Sequence, residues 1–374
     1  MEKKYHFTKE HTLAIKGIAV CFLLSYHCFS REFRLSGVDV QFWPLSKELA
    51  MQISYSMVIC VGMFAFLSAY GLTLSMKKRF PEYVFSADEA FSYVVERYMK
   101  LFFMFLLPFL FCQIVTEILD VSRYEGGRMT KLVCMLMDVL GISNIFGTKM
   151  LVDTWWYLSL VVLITVFMPV CMILYRRLGW LLIPMGLFVG NYFLDMDLNL
   201  DKWMFTIPIA ICFADRNVLE RMKAWKIVPG QILNKIIKFL FLTCVLVLAG
   251  RLRESEWGIQ HLKFLMNGVM PVLFIWWCYE FVIDIPGLKQ ILQFLGKHSA
   301  VIFYVHTLVR GLWLKELTYS FRYAILIWLF LLAVSLGISI FLNFAAKVIR
   351  YDQITKYLEK LVLKKLSYCS LRSQ

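Results

Sequence analysis

A lysine and a histidine lie eleven residues apart in the first apolar segment of this 374-residue chain, at Lys16 and His27. Ionisable side chains are costly in the hydrocarbon core of a membrane, so their presence there indicates a function. Eleven helical steps of ~100° return to within ~20° of the start, which puts both side chains on one helix face, ~16 Å apart along the axis. An imidazole titrates near neutral pH and can accept a proton from a hydroxyl. His27 is therefore a candidate general base, and Lys16 is a candidate cationic anchor near one membrane surface.

Each of these two residues also has a simpler interpretation. A buried histidine can serve only to bond a backbone carbonyl, and a lysine near a helix end can serve only to orient the helix in the membrane. The depth of His27 in the apolar segment and its pairing with Lys16 favour the functional interpretation.

Two further cations, Arg97 and Lys100, open the third apolar segment. Residues three apart share a helix face, so the pair would present two fixed positive charges at a membrane entrance, where they can hold phosphates. Basic residues beside a membrane span are also common as orienting charges. Just before them, Ser86 and Glu89 have the spacing of a capping box and predict the start of the helix that leads into this segment.

Aromatic and polar residues in two later segments are candidates for binding a sugar. Trp155 and Trp156 begin the fourth apolar segment, and His306 lies within the ninth. Tryptophans at such a position either anchor the helix at the membrane interface or stack on the apolar face of a sugar ring, and the sequence leaves both open. His306 is a second polar group inside a span, less specific in its pattern than His27.

The composition is that of a protein with many membrane spans: 60% of residues are hydrophobic, 18% are charged, and the mean hydropathy is +0.66. The net charge of +14 is interpreted as a signal of orientation rather than of nucleic-acid binding. The ten cysteines are scattered without a Cys-x-x-Cys pair and predict neither a disulfide framework nor a metal site. No phosphate-binding loop, serine-hydrolase elbow or metalloprotease motif is present in the sequence.

These residues must be positioned by helices, and we predict an all-α fold with about ten transmembrane helices. The apolar segments lie near 12–29, 50–75, 98–119, 154–174, 179–195, 203–213, 233–250, 262–283, 299–314 and 323–346. With the N-terminus inside, the inner segments carry 26 of the 40 Lys and Arg residues and the outer loops carry 14, which predicts that both termini are cytoplasmic. The first segment lacks a small-residue cleavage site, so we expect a membrane span there and not a cleaved signal peptide.

Outside the spans, two segments have helical patterns. Within the long outer loop 120–153, Lys131 to Phe146 is predicted to be a short helix at the membrane interface. From Ile354 to Leu366, apolar residues recur among lysines, which predicts a basic amphipathic helix on the anionic inner leaflet. We therefore expect a membrane domain over residues 1–346 and a basic cytoplasmic tail over residues 347–374.

Five segments, in this order along the spans, resemble the acyltransferase-three family of integral membrane acyltransferases. Over roughly residues 11–346 they are Lys16 to His27, Phe64 to Gly71, Arg97 to Lys100, Trp155 to Leu158, and Leu295 to His306. The family usually has arginine where this chain has Lys16 and Lys100, and glycine where it has Ala69. Lysine keeps the positive charge of arginine but lacks its two-pronged hydrogen bonding.

The resemblance implies a membrane O-acyltransferase of the bacterial inner membrane. Family members O-acylate cell-surface polysaccharides and related molecules, so we expect transfer of an acetyl group from cytoplasmic acetyl-CoA, or another acyl-CoA, to a glycan or lipid-linked saccharide. No metal is expected, because a thioester is already activated. The expected roles are a catalytic base at His27, donor binding at Lys16, Arg97 and Lys100, and acceptor binding at Trp155, Trp156 and His306.

Two functions without acyl transfer remain as alternatives. A transporter or flippase of a lipid-linked saccharide would also have charged residues inside its helices, lining a path. The combination of Lys16 with His27 and of Arg97 with Lys100 favours an acyl-CoA enzyme, which needs both pairs. A glycan polymerase is a weaker alternative, since such enzymes usually have a larger outer loop than residues 120–153 provide.

Overall fold

The computed structural model describes residues 5–194 and 199–372, with side chains as far as residue 366, and this part of the chain is built from helices without a β-strand. The prediction of an all-α fold is confirmed. The first nine α-helices are α1 (Lys9–Phe29), α2 (Glu32–Leu35), α3 (Lys47–Ser56), α4 (Ile59–Arg79), α5 (Ala87–Ile118), α6 (Arg128–Val139), α7 (Trp156–Leu178), α8 (Leu182–Phe193) and α9 (Thr206–Arg216). The others are α10 (Val218–Ala224), α11 (Gln231–Glu254), α12 (Glu256–His261), α13 (Lys263–Phe281), α14 (Leu288–Leu308), α15 (Lys315–Ser320), α16 (Ala324–Val348) and α17 (Tyr351–Arg372).

Two of the long helices begin with reciprocal caps. At α5, the Ser86 hydroxyl accepts from the backbone N–H of Glu89, and the Glu89 carboxylate accepts from the N–H of Ser86, so the predicted capping box is confirmed. At α1, Thr8 and His11 make the same exchange. Such caps satisfy N–H groups that the first helical turn leaves without partners.

Among the residues that the structure describes, seven helical segments are long and apolar enough to cross a membrane. They are Lys9–Phe29, Lys47–Arg79, Ala87–Ile118, Asp153–Phe193, Gln231–Glu254, Lys263–Phe281 and Ala324–Val348. The predicted fifth span lies within the fourth of these segments, the sixth corresponds to α9, which has 11 residues, and the ninth lies in α14 and the turn after it. A membrane protein with several spans is thereby confirmed, while the count of ten and the cytoplasmic side of the termini remain predictions.

The chain folds into two compact units. The first unit comprises Met1–Ser30, Glu48–Glu82 and Cys171–Ser299. Within it α4 packs against α1, α9 and α13. Gly62 of α4 permits this packing, because a methyl group added there would lie 2.4 Å from the Pro271 ring and 2.9 Å from the Trp203 ring. Gly62 thus serves close helix packing.

The second unit comprises Arg31–Lys47, Tyr83–Val170 and Ala300–Gln374. Within it α5 packs against α6, α16 and α17. The Tyr351 hydroxyl of α17 donates to the Phe103 carbonyl of α5 at 2.8 Å, and the Trp313 indole N–H donates to the Thr116 hydroxyl at 3.2 Å. The helix of the predicted cytoplasmic tail is therefore docked on α5.

The loop 120–153 of the second unit is organised around a buried carboxylate. Asp138, 2% exposed, accepts hydrogen bonds from the hydroxyls of Tyr124 and Ser143 and from the backbone N–H of Leu151. Burial raises the pKa of the Asp138 carboxyl above its usual value, and its hydrogen bonds oppose that rise only in part. The predicted helix Lys131–Phe146 is observed as α6, which ends earlier because Gly141 follows with a φ of 70°.

Candidate functional site

Lys16 and His27 lie on the single continuous helix α1 of the first unit, as their spacing predicts. Both side chains are half-buried. Around Lys16, Ile15 and Gly17 are buried. The imidazole of His27 meets the ring of Tyr26 edge to face, with 5.1 Å between the ring centres. The helix therefore carries a cation in its first half and an imidazole in its last turn.

Glycines bring α14 into direct backbone contact with α1 beside Lys16. A methyl group added at Gly17 would lie 2.1 Å from the Leu292 carbonyl oxygen, and one added at Gly296 would lie 1.9 Å from the Leu13 carbonyl oxygen. Only residues without a Cβ allow two helices to approach so closely. Ser299 reinforces this part of α14 by donating to the Gly296 carbonyl at 2.9 Å. Gly296 thus fixes the position of the part of α1 that carries Lys16.

Lys16 differs from the other buried lysines of its unit. Lys238 is 0% exposed and pairs with Glu280 at 2.8 Å. Lys223 donates to Asp284 and, at 2.8 Å, to the Tyr279 carbonyl. Lys16 has neither a hydrogen bond nor an ion pair within the part of the chain that the structure describes. A half-buried ammonium without a partner is costly, so this charge has a stronger need for an external anion than the paired lysines.

Arg97 and Lys100 lie on α5 of the second unit and differ in their surroundings. The guanidinium carbon of Arg97 lies 5.1 Å from the ring centre of Tyr93, a cation–π arrangement. Lys100 is 47% exposed and pairs with Glu96 at 2.6 Å and with Glu359 of α17 at 3.5 Å. Two carboxylates therefore offset the charge of Lys100, and an incoming phosphate would have to displace them.

The two tryptophans of the fourth segment are placed differently. Trp155 is 2% exposed, donates its indole N–H to the Tyr304 carbonyl at 3.1 Å, and meets the Phe105 ring edge to face at 5.0 Å. Trp156 is half-buried. In this conformation Trp155 belongs to the core of the second unit, and Trp156 has the more accessible ring for contact with a ligand.

His306 is fully buried, at 0% exposure. Its Nδ1 lies 2.8 Å from the Phe303 carbonyl oxygen, which can only accept, so Nδ1 carries the proton. Nε2 lies 3.1 Å from the Thr307 hydroxyl, and Thr307 accepts from the Thr154 hydroxyl at 3.3 Å. This chain of hydrogen bonds joins α14 to the start of the fourth apolar segment.

Sequence reasoning did not identify three features of these sites. They are the glycine contacts between α1 and α14, the pairing of Glu359 with Lys100, and the hydrogen bonds that connect His306 through Thr307 to Thr154. Gly17 and Gly296 themselves signalled the contacts between α1 and α14. A glycine inside a helix lowers the stability of that helix, so its presence there usually has a packing reason. The other two join residues far apart in sequence, for which a single sequence carries no signal.

Comparison with known proteins supports one family. Among the described residues, no three His, Cys, Asp or Glu side chains cluster as a metal site would require. No curated protein and no solved structure matches the chain. The family model described as "Acyltransferase domain" matches residues 14–344, from the start of α1 to the end of α16. The match includes every motif that suggested the resemblance, and the chain belongs to the acyltransferase-three family.

Proposed function

We propose that this membrane acyltransferase transfers an acetyl group from cytoplasmic acetyl-CoA to a hydroxyl of a cell-surface polysaccharide or its lipid-linked precursor, in the inner membrane. Its membership of the acyltransferase-three family supports acyl transfer as the reaction class. The acetyl donor and the glycan acceptor are the finer parts of the proposal, and they rest on the residues below.

The observation that carries the proposal is the Lys16 ammonium. It is half-buried in an apolar helix, and no described residue of the chain pairs with it. The thioester donor has phosphates that supply the anion such a charge requires. The contact between Gly296 and Leu13 holds the helix segment next to Lys16, which would keep the ammonium in position before the donor binds.

His27 is the proposed general base. Its imidazole takes the proton from the acceptor hydroxyl as the hydroxyl oxygen forms a bond to the thioester carbonyl carbon. The carbon–sulfur bond then breaks, and the CoA thiolate leaves and takes up the proton from the imidazolium. The products are an O-acetyl ester and free CoA, and no further reactant is consumed. The half-buried ring of His27 supports this role, since it is partly shielded from water yet still accessible.

Arg97 and Lys100 are the proposed partners of the remaining donor phosphates. Both lie on α5 one turn apart, and charge-assisted hydrogen bonds from such a pair are stronger than neutral ones. The carboxylates beside Lys100 would weaken its contribution. Trp156 and His306 are proposed for the acceptor side, with His306 acting through its hydrogen bond to Thr307.

The test compares surface glycans from cells with and without the gene by mass spectrometry, together with transfer of radiolabelled acetyl from acetyl-CoA by the purified protein in lipid nanodiscs. We expect the glycan from producing cells to be heavier by one acetyl group per site, and the label to appear in it. A glycan of unchanged mass whose export is lost without the gene would instead support a flippase. Transfer of a longer acyl group would keep the reaction class and correct the donor.

A further inference from the structure

The helix α14 ends in an unusual turn. From Val309 to Trp313 the chain forms a π-helix, in which the Leu314 N–H donates to the Val309 carbonyl at 3.0 Å. Such turns are rare and are often found at functional sites, because the wider turn redirects a side chain that an α-helix would point elsewhere. Arg310 is the charged residue of this turn.

The guanidinium of Arg310 is poorly satisfied by the protein. Its Nη1 donates to the Tyr319 hydroxyl at 3.3 Å, and its Nε is buried without a hydrogen-bond partner. Among the described residues, no carboxylate pairs with it, and Glu316, the nearest acidic residue along the chain, is exposed. A guanidinium has five donors, and buried donors that remain unpaired are uncommon in proteins. Arg310 therefore retains donors for a group that is not part of the chain.

Arg310 lies close enough to the buried His306 to act on it electrostatically, and so does Arg34 of α2. His306 makes hydrogen bonds of its own, to the Phe303 carbonyl through Nδ1 and with the Thr307 hydroxyl through Nε2. Neither His306 nor Arg34 supplies a negative charge that would offset the guanidinium of Arg310.

Simple anchoring at the membrane surface does not explain this arrangement. An arginine that only anchors a helix extends its guanidinium into water. Here the side chain is half-buried, its Nε is shielded from solvent, and its Nη1 is directed at Tyr319, which is 4% exposed. Trp313, in the same turn, is bonded to Thr116, so the turn is fixed from both sides.

We propose that Arg310 binds an anionic group of the acceptor, either a sugar carboxylate or a phosphate of a lipid-linked precursor. This inference rests on the proposed function and narrows its acceptor to acidic molecules. A planar guanidinium suits both groups, because each offers two oxygens to its parallel N–H donors.

Isothermal titration on the purified protein in neutral-lipid nanodiscs tests the proposal with two pairs of probes. Glucuronate is compared with glucose, and a polyprenyl phosphate is compared with the corresponding polyprenol. We expect one anionic probe to bind roughly 10- to 100-fold more tightly than its neutral partner, as loss of a charge-assisted hydrogen bond predicts. The pair that shows the difference identifies carboxylate or phosphate as the source.

Three variants make the result specific. Arg310→Gln should abolish the preference for the anionic probe, Arg310→Lys should retain part of it, and Lys315→Gln, which removes an exposed cation from the neighbouring α15, should leave it unchanged. Equal binding of charged and neutral probes by the wild type, or an unchanged preference in a folded Arg310→Gln variant, would overturn the proposal. If Arg310→Gln does not fold, the comparison of Arg310→Lys with the wild type decides, and equal preference and affinity in those two would also overturn it.

Titration with acetyl-CoA separates this proposal from the proposed function. Arg310→Gln should bind acetyl-CoA as the wild type does, because the donor is assigned to other residues. A wild type that binds the anionic probe through Arg310 but does not bind acetyl-CoA would contradict the acetyl donor and leave the anion site standing.

Discussion

Replacement of Gly296 by alanine should disable the enzyme by displacing the helix that carries Lys16. The new methyl group would lie 1.9 Å from the Leu13 carbonyl oxygen, whereas even a close carbon–oxygen contact needs ~3.3 Å. The atom it meets belongs to the backbone, so relief requires α1 and α14 to separate locally by more than ~1 Å. Overpacking of this kind costs about 1–3 kcal/mol, and a displacement of about 1 Å at a reacting group can lower its rate by about 100-fold.

Gly71→Ala is the matched control for this variant. Gly71 also lies inside a helix of the first unit, α4, but a methyl group added there meets no atom within 4 Å. We expect it to keep full activity and to gain about 0.5–1 kcal/mol from the higher helix propensity of alanine. Thermal melting and acetyl transfer would be measured for both proteins in nanodiscs. If Gly296→Ala had the same melting temperature and the same rate of acetyl transfer as Gly71→Ala, the contact between α1 and α14 at Gly296 would not be what positions Lys16.

Three further outcomes are expected. Glu359→Gln should lower the KM for acetyl-CoA by about 1.5- to 5-fold, since a half-exposed ion pair to Lys100 is worth ~0.2–1 kcal/mol. Asp352→Asn, which changes an exposed acid on the same helix, is the control. An unchanged KM in both variants would remove Lys100 from the donor site. Lys16→Arg combined with Lys100→Arg should keep activity with an equal or lower KM for acetyl-CoA, because arginine binds phosphate with two hydrogen bonds. A strong rise in this KM would show that the donor binds with a different geometry. Because burial raises the pKa of Asp138, the outer loop 120–153 should be most resistant to proteolysis at acidic pH and should lose resistance as the pH rises through that raised pKa. Asp138→Asn should remove this pH dependence, and a wild-type loop cleaved equally at every pH would contradict it.

Local features of the chain were predicted well from its sequence. Hydropathy identified the segments that form α1, α4, α5, α7, α11, α13 and α16, because a helix in lipid must be apolar along its length. The capping box at Ser86 and the shared helix of Lys16 and His27 were predicted because each depends on residues within a few turns of one another. Helix ends were harder, as α6 shows, since its end depends on the backbone at Gly141.

Tertiary features could not be predicted from the same information. The burial of Trp155 depends on Phe105 and Tyr304, which lie in other helices. The hydrogen bonds of His306 involve the Phe303 carbonyl and, through Thr307, the hydroxyl of Thr154 in another segment. A single sequence shows that these residues are unusual for a membrane span, but it does not show what surrounds them.

Turnover of the purified His27→Ala variant tests the central claim most directly. Alanine replaces a titratable ring by an apolar methyl in a helix that remains apolar, so the variant should insert and melt like the wild type. Labelled acetyl from acetyl-CoA would be followed into the glycan, with His261→Ala, an exposed histidine of the same unit, as the matched control. We predict that His27→Ala loses acetyl transfer and that His261→Ala keeps it. Wild-type turnover by a folded His27→Ala protein would contradict the assignment of His27 as the general base.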